Sequence, residues 1–408
     1  MRAEAPPAVP ATAAIYIAAL QFLFAITWTN YVIFLPRLLQ AAGLPPAWAP
    51  WVLVLDQLVF MVADVATGVY ADRVQSALGR LGPLVVGTTT VSALAFLLLP
   101  HVVLLGSAAP LLALGLVAVW AVTSSALRAP VWMLLGKHAA RPALPWLNAL
   151  ALTGLAVAGA AAPFLGVALK NLDPRMPFAL CSAALLAATA GIVPLERRLG
   201  QAPAPAALDR PRVLDGPHAA WMLGILLLAA AFQTHFSLNS AAQYLRFARP
   251  ADLEWLMPLF WVGFGLGTLP AAALCKRLGA LPLVATAAAC AAAAAAGAAQ
   301  AGSLTVLMVA QCVAGAAWGA MTVAIFSSAT ELGRSGREGL MLGTLFAMLA
   351  LATIVRIGVT LAGVPGSAAA APVLSWLPVL LWALGGAMIG LLALRAPVAG
   401  KVRAQASA

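Results

Sequence analysis

Apolar runs long enough to cross a hydrocarbon core of about 30 Å recur along the chain, roughly one per 34 residues, with short polar breaks between them. They predict twelve membrane-spanning helices, near 12–36, 48–71, 83–104, 109–136, 145–169, 177–195, 219–241, 254–274, 281–299, 304–329, 340–363 and 374–395. The first is expected to stop at Pro36, because proline ends or kinks a helix. Segments 5 and 6 are rich in alanine and glycine, which let helix backbones approach closely. The ninth is mostly alanine (CAAAAAAGAAQ) and gains little transfer energy. It is kept because without it Lys276 and Arg277 would fall on the opposite side from Arg334 and Arg337.

The longest polar stretch is ERRLGQAPAPAALDRPRVLDGPH, Glu196 to His218, whose prolines and mixed charges exclude a helix in lipid. It predicts a bundle over 1–195, a linker over 196–217, a second bundle over 218–396 and a tail over 397–408. The fold class expected is an all-α integral membrane protein, two pseudo-symmetric bundles of six helices each.

Composition agrees: of 408 residues 63% are hydrophobic and 9% charged, too few charges to cover a surface facing water. The net charge of +11 would suit nucleic acid, but the basic residues form no single patch. Arg73, Arg80, Lys137, Arg141, Arg197, Arg198, Arg210, Arg212, Lys276, Arg277, Arg334 and Arg337 all lie in even-numbered connections. Only Arg37, Lys170, Arg175, Arg246 and Arg249 lie in odd ones, which by the positive-inside rule puts both termini in the cytoplasm. The chain is therefore expected in a bacterial-type inner membrane, without a nucleic-acid partner. Cys181, Cys275, Cys290 and Cys312 have no paired spacing and suggest neither a disulfide nor a metal site. The start, MRAEAPPAVP, lacks a signal-peptide pattern, so the first apolar run is expected to remain attached. There is no GxxxxGK[ST] nucleotide motif and no nucleophile, base or metal cluster, so no cofactor and no enzymatic activity are expected.

Segment 2 and the turn after it carry the most informative chemistry. In GVYADRVQSALGRLGP, the spaced Gly68, Asp72, Arg73, Gly79 and Arg80 resemble the loop between helices 2 and 3 of the major facilitator superfamily. The longer spacing, with Ser76 and Pro83, looks most like the glycoside, pentoside and hexuronide cation symporters of that superfamily. Asp64 and Gly68, four apart, match that group's cation-site helix, and Arg128, Ala129, Pro130, Val131 and Trp132 resemble its acid, x, Pro, aromatic, Trp stretch. The resemblance implies alternating access, a central site, and a cytoplasmic ionic latch built on Asp72, Arg73 and Arg80. The departures are specific: Phe60 stands where that group has a second acid, Arg128 replaces its segment 4 acid, and Gln75, Ala77 and Gly82 replace basic positions of its loop. In segment 5, Gly154, Gly159, Pro163 and Gly166 loosely resemble the glycine and proline pattern of superfamily antiporters.

A charge at the centre of a membrane helix costs about 2.5 to 3.5 kcal/mol on insertion scales, so the acids and arginines inside the apolar runs need partners. Asp64 and Arg128 each lie about eight residues from the cytoplasmic end of their segment, about 12 Å deep, which predicts an ion pair, either structural or part of coupling. Asp56 and Arg356 lie at similar depth from the other side. Helices 2 and 11 face each other in the superfamily, so the resemblance implies an Asp56–Arg356 bridge that holds the outer gate closed. The alternative has Arg356 reaching the headgroups and Asp56 bonded to Gln57 or a neighbouring helix. His235 shares a face with Asn239 at i, i+4 and is either a packing residue or a proton carrier. Trp28, Asn30, Trp132, Gln233, Asn239, Gln311 and Trp318 are cavity candidates, because polar and aromatic groups on inner helices orient a solute.

These features predict a monomeric secondary transporter of a small organic solute, sugar-like or anionic, coupled to protons in preference to sodium. Export of amphiphilic compounds and a transport-dead sensor or assembly factor are the other readings.

Overall fold

A chain in lipid must satisfy its backbone hydrogen bonds within each segment, and this one does so with helices throughout. The computed structural model describes residues 11–74, 81–138, 143–199, 216–333 and 336–395. Twelve stretches among them are long and apolar enough to cross a membrane: α1 (Ala11–Ala41), α2 (Pro46–Arg73), α3 (Leu81–Val102), α4 (Leu104–Leu134), α5 (Leu144–Leu169), α6 (Arg175–Arg198), α7 (Gly216–Tyr244), α8 (Pro250–Leu278), α9 (Ala280–Ala299), α10 (Leu304–Gly333), α11 (Glu338–Leu361) and α12 (Ala371–Arg395). An even number of crossings puts the described start of α1 and end of α12 on one side, called here the terminus side; the other is the far side.

Each half keeps four helices against the centre and two outside. α3 packs on α4 and α6, and α9 on α10 and α12, while α2 lies along α11 and α5 along α8 to join the halves. The alanines of α9 make it a thin helix, with Ala287, Ala288, Ala291, Ala292, Ala294 and Ala295 all buried. Glycines set the closest approach. A methyl group at Gly263, Gly267, Gly315 or Gly319 would overlap a carbonyl of the facing helix in the α8–α10 pair.

Four local features differ from the sequence pattern. α1 continues through Pro36 to Ala41, since a proline deletes one backbone bond and the turns on either side keep theirs. Glu196, Arg197 and Arg198, expected in the linker, belong to a short helix, Ile192–Leu199. Glu196 turns back to accept hydrogen bonds from the N–H groups of Leu81 (3.1 Å) and Gly82 (2.7 Å), capping the first turn of α3. α7 begins at Gly216, and the remainder of the linker lies outside the described residues.

The other two differences are broken helices. α4 runs from Ala109 to Ser124, tightens into a 3-10 turn over Ser125–Leu127, leaves helical geometry at Arg128 (φ −99°, ψ −102°) and restarts at Ala129. Pro130 in the first turn after the break has no N–H to leave unpaired. α7 widens into a π-helical turn over Gln233–Asn239.

Candidate functional site

Between the halves lies a cavity of about 250 Å³. Every centre-facing helix contributes to it: Gln21 from α1, Gln57 from α2, Arg128 and Trp132 from α4, Leu152 and Leu155 from α5, Phe232 and Gln233 from α7, Trp261 and Phe264 from α8, Trp318, Thr322 and Phe326 from α10, and Phe346 and Thr353 from α11. Its walls are mainly apolar, aromatic and aliphatic side chains in equal number, with amides and hydroxyls set among them.

Among the described residues, Arg128 is the one charged side chain in that wall. Its Nη1 lies 3.3 Å from Asp64 Oδ2, with 13% of the arginine side chain exposed and none of the aspartate's. The two residues expected at equal depth are thus paired in the structure. Phe60 and Phe346 flank the guanidinium, their ring centroids 4.9 and 4.7 Å from it. Phe60, standing where the resembled symporters have an acid, thus provides a π face for the cation. The break in α4 exposes the Leu127 carbonyl, which accepts a hydrogen bond from Gln21 Nε2 at 3.0 Å.

The Asp56–Arg356 bridge is not formed. Asp56 is 1% exposed and accepts a 2.7 Å hydrogen bond from the Tyr31 hydroxyl, inside its own half. Around that bond Trp28, Tyr31, Phe60 and Trp120 pack as an aromatic box. A phenol one helix away satisfies the carboxyl without a crossing of the interface, which is why depth matching alone chose the wrong partner. Arg356 is half-buried, its Nε has no hydrogen-bond partner, and no described acid lies within 4.0 Å of it.

Of the expected cavity residues, Trp132, Gln233 and Trp318 line the space, whereas Trp28, Asn30, Asn239 and Gln311 do not. Trp28 belongs to the aromatic box, and Asn30 is buried with neither side-chain atom hydrogen-bonded. Asn239 donates to the Leu374 carbonyl at 2.7 Å, and Gln311 bonds Gln243 and Ser240 within the second half. The π turn redistributes the polar side chains of α7. Gln233 reaches the cavity wall and donates to Thr353 at 2.8 Å, while His235 points into the bundle between Phe260 and Trp382. His235 is therefore away from the cavity, its Nε2 unpartnered.

The sequence reading missed Gln21, Gln57, Trp261, Thr322 and Thr353. Thr322 was within reach, because it sits four residues after Trp318 and so on the same face.

On the terminus side the halves touch directly. Asp72 accepts hydrogen bonds from the N–H groups of Gly339 (2.7 Å) and Leu340 (2.9 Å), the first turn of α11. Gly68 and Gly339 meet backbone to backbone, and a methyl group on either would overlap the other's carbonyl. Asn148 Nδ2 donates to Ser327 Oγ at 3.1 Å, and Trp132 packs on Phe326 with ring centroids 4.3 Å apart. Of the residues expected to form an ionic latch, Asp72 is thus a carboxylate on a helix N-terminus. Arg73 is exposed, and Gly79 and Arg80 lie outside the described residues.

No protein-family model and no curated protein sequence matches this chain. Solved structures do. A bacterial homologue of the iron transporter ferroportin, in an outward-facing state with soaked iron, superposes with a TM-score of 0.74 at 15% identity, over 93% of this chain and 99% of that one. The human organic anion transporter MFSD10 gives 0.71 at 15% identity, over 93% and 99%. The E. coli fucose:proton symporter FucP gives 0.64 at 16% identity, over 93% and 98%. At such identities the likeness shows the fold, which is that of major facilitator superfamily transporters. It does not extend to the glycoside, pentoside and hexuronide type in particular.

Proposed function

We propose that this protein is a secondary active transporter that moves a small organic solute by alternating access, with proton coupling at the Asp64–Arg128 pair. The observation that carries the reading is that buried pair at the cavity wall, one member facing the solute space and the other shielded from it. A membrane carboxylate and arginine cost less together than apart, and whatever separates them must supply a replacement for each. A solute and a proton are such replacements. The terminus side is the cytoplasm by the distribution of lysine and arginine. The contacts of Asp72, Gly68, Asn148 and Trp132 join the halves on that side, so in this reading the solute reaches the cavity from the far side. The two halves, the first running to Leu199 and the second from Gly216, rock about the cavity, and one chain contains the whole path.

The aromatic walls also favour a second direction, export of amphiphilic compounds in exchange for protons. Reconstituted liposomes test the reading. Saturable solute movement that responds to an imposed pH gradient, and is lost in Asp64→Asn, is expected. Failure to move any solute across a panel of sugars, organic anions and amphiphilic cations would instead favour a transport-dead sensor.

A further inference from the structure

The charge balance of the cavity restricts what it can hold. Arg128 is its one charged lining residue among those described, and the counter-ion stands behind the wall with no exposed surface. Trp132, four residues on, also lines the cavity, and its indole Nε1 is buried without a hydrogen-bond partner. Arg128 is the cationic donor in that wall, and a carboxylate is the group its guanidinium pairs with most strongly. Beyond them Phe232, Trp261, Phe264 and Trp318 line the walls, as flat apolar matter requires.

A second cation continues the path. On α11 the cavity-lining residues Phe346, Leu349 and Thr353 run along one stripe, and Arg356 is the next position of that stripe toward the far side. It has no acid within 4.0 Å among the described residues and an unpartnered Nε.

Resting on the carrier reading above, we propose that the solute is an organic monoanion with a flat apolar body, drawn in past Arg356, whose carboxylate takes Arg128 from Asp64 while Asp64 takes one proton from the far-side solution. The charge in the site is then unchanged: a carboxylate arrives, a carboxylate is neutralised, and Arg128 keeps one anionic partner throughout. An anion entering without the proton would leave two carboxylates facing one guanidinium in a low dielectric, and a neutral solute would have no means of displacing Asp64. One proton accompanies each anion.

The surroundings leave Asp64 as the group that answers to pH. Arg128 and Ser125 on one side and, from α11, the backbone at Gly343 are what face it. On the helices packed against α2, Tyr31 is committed to Asp56, Tyr16 to the Ala188 carbonyl, and Arg37 to the carbonyls of Lys170 and Leu172. On α2 itself Asp72 is committed to α11, and Tyr70 and Arg73 lie toward the terminus-side end. The side chains of Lys137 and His138 lie outside the described residues. On α11, Glu338 lies about 8 Å along the helix axis from Gly343 and Arg356 about 20 Å in the other direction.

Three probes of one shape separate the outcomes: 2-naphthoate, 2-naphthamide and 2-naphthylmethylammonium, titrated calorimetrically against the detergent-solubilised full chain in buffers of different ionisation enthalpy. The proposal expects 2-naphthoate to bind at least about tenfold tighter than the amide, with uptake of one proton, so that its affinity falls about tenfold per pH unit as pH rises. Asp64→Asn should bind 2-naphthoate without proton uptake and without that pH dependence. Arg356→Gln should slow association several-fold while leaving the proton count at one. Equal or tighter binding of the amide or the ammonium overturns the proposal and leaves the carrier reading standing. Binding of 2-naphthoate to the wild type without proton uptake overturns the coupling step whether or not Asp64→Asn folds. If none of the three binds to folded protein the anion assignment fails, and the liposome panel decides the carrier reading separately.

Discussion

Arg128 and Asp64 stabilise the protein only as a pair. Each has left water for a site where Phe60 and Phe346 supply π faces but no second hydrogen-bonded charge. Removing one member strands the other, at a cost of about 3 to 5 kcal/mol for a buried pair. Asp64→Ala and Arg128→Ala should each lower the thermal midpoint in detergent sharply, and the exchange Asp64→Arg with Arg128→Asp should recover much of the loss. Equal midpoints for all three variants would show that the pair contributes nothing. Tyr31→Phe makes a separate test, because it leaves the Asp56 carboxyl in its aromatic box without a donor. A loss of about 1 to 3 kcal/mol is expected from the unmade hydrogen bond. The Asp64–Arg128 pair was legible because helix depth can be counted along a sequence. The Asp56–Tyr31 bond was not, because Tyr31 reads as one more apolar residue and only packing shows which way its hydroxyl turns.

At the scale of elements, one side is closed by a helix cap and a glycine contact. The N-terminus of α11 has unsatisfied N–H groups and a partial positive charge, and Asp72 answers both. Asp72→Asn keeps one acceptor oxygen and puts an amide donor against the other N–H, so the cap should weaken by about 1 kcal/mol. That shift moves population toward conformations open on the terminus side, read as an increased distance between spin labels at the ends of α2 and α11. Gly339→Leu should do the same more strongly, since its side chain meets the Gly68 carbonyl and the Asp72 carboxylate. Twelve apolar stretches could be found by length alone, even the alanine-rich α9. The break at Arg128 and the π turn at Gln233–Asn239 could not, because both depend on neighbouring helices that accept the freed backbone and side-chain groups. The π turn is also why i, i+4 spacing misjudged the surroundings of His235.

For the whole molecule, the arrangement is a closed terminus side, a cavity with one charge-bearing wall and two halves joined along α2–α11 and α5–α8. Alternating access requires that the cavity be reachable from one side at a time. Thr322 and Thr353 line it, and either replaced by cysteine, in a chain whose Cys181, Cys275, Cys290 and Cys312 have been changed to serine, reports its exposure to a membrane-impermeant maleimide. The account predicts labelling from the far side alone in that background, and a shift to labelling from the terminus side when Gly339→Leu is added. Labelling from both sides at once, or no change of side when the α2–α11 contact is broken, would contradict it.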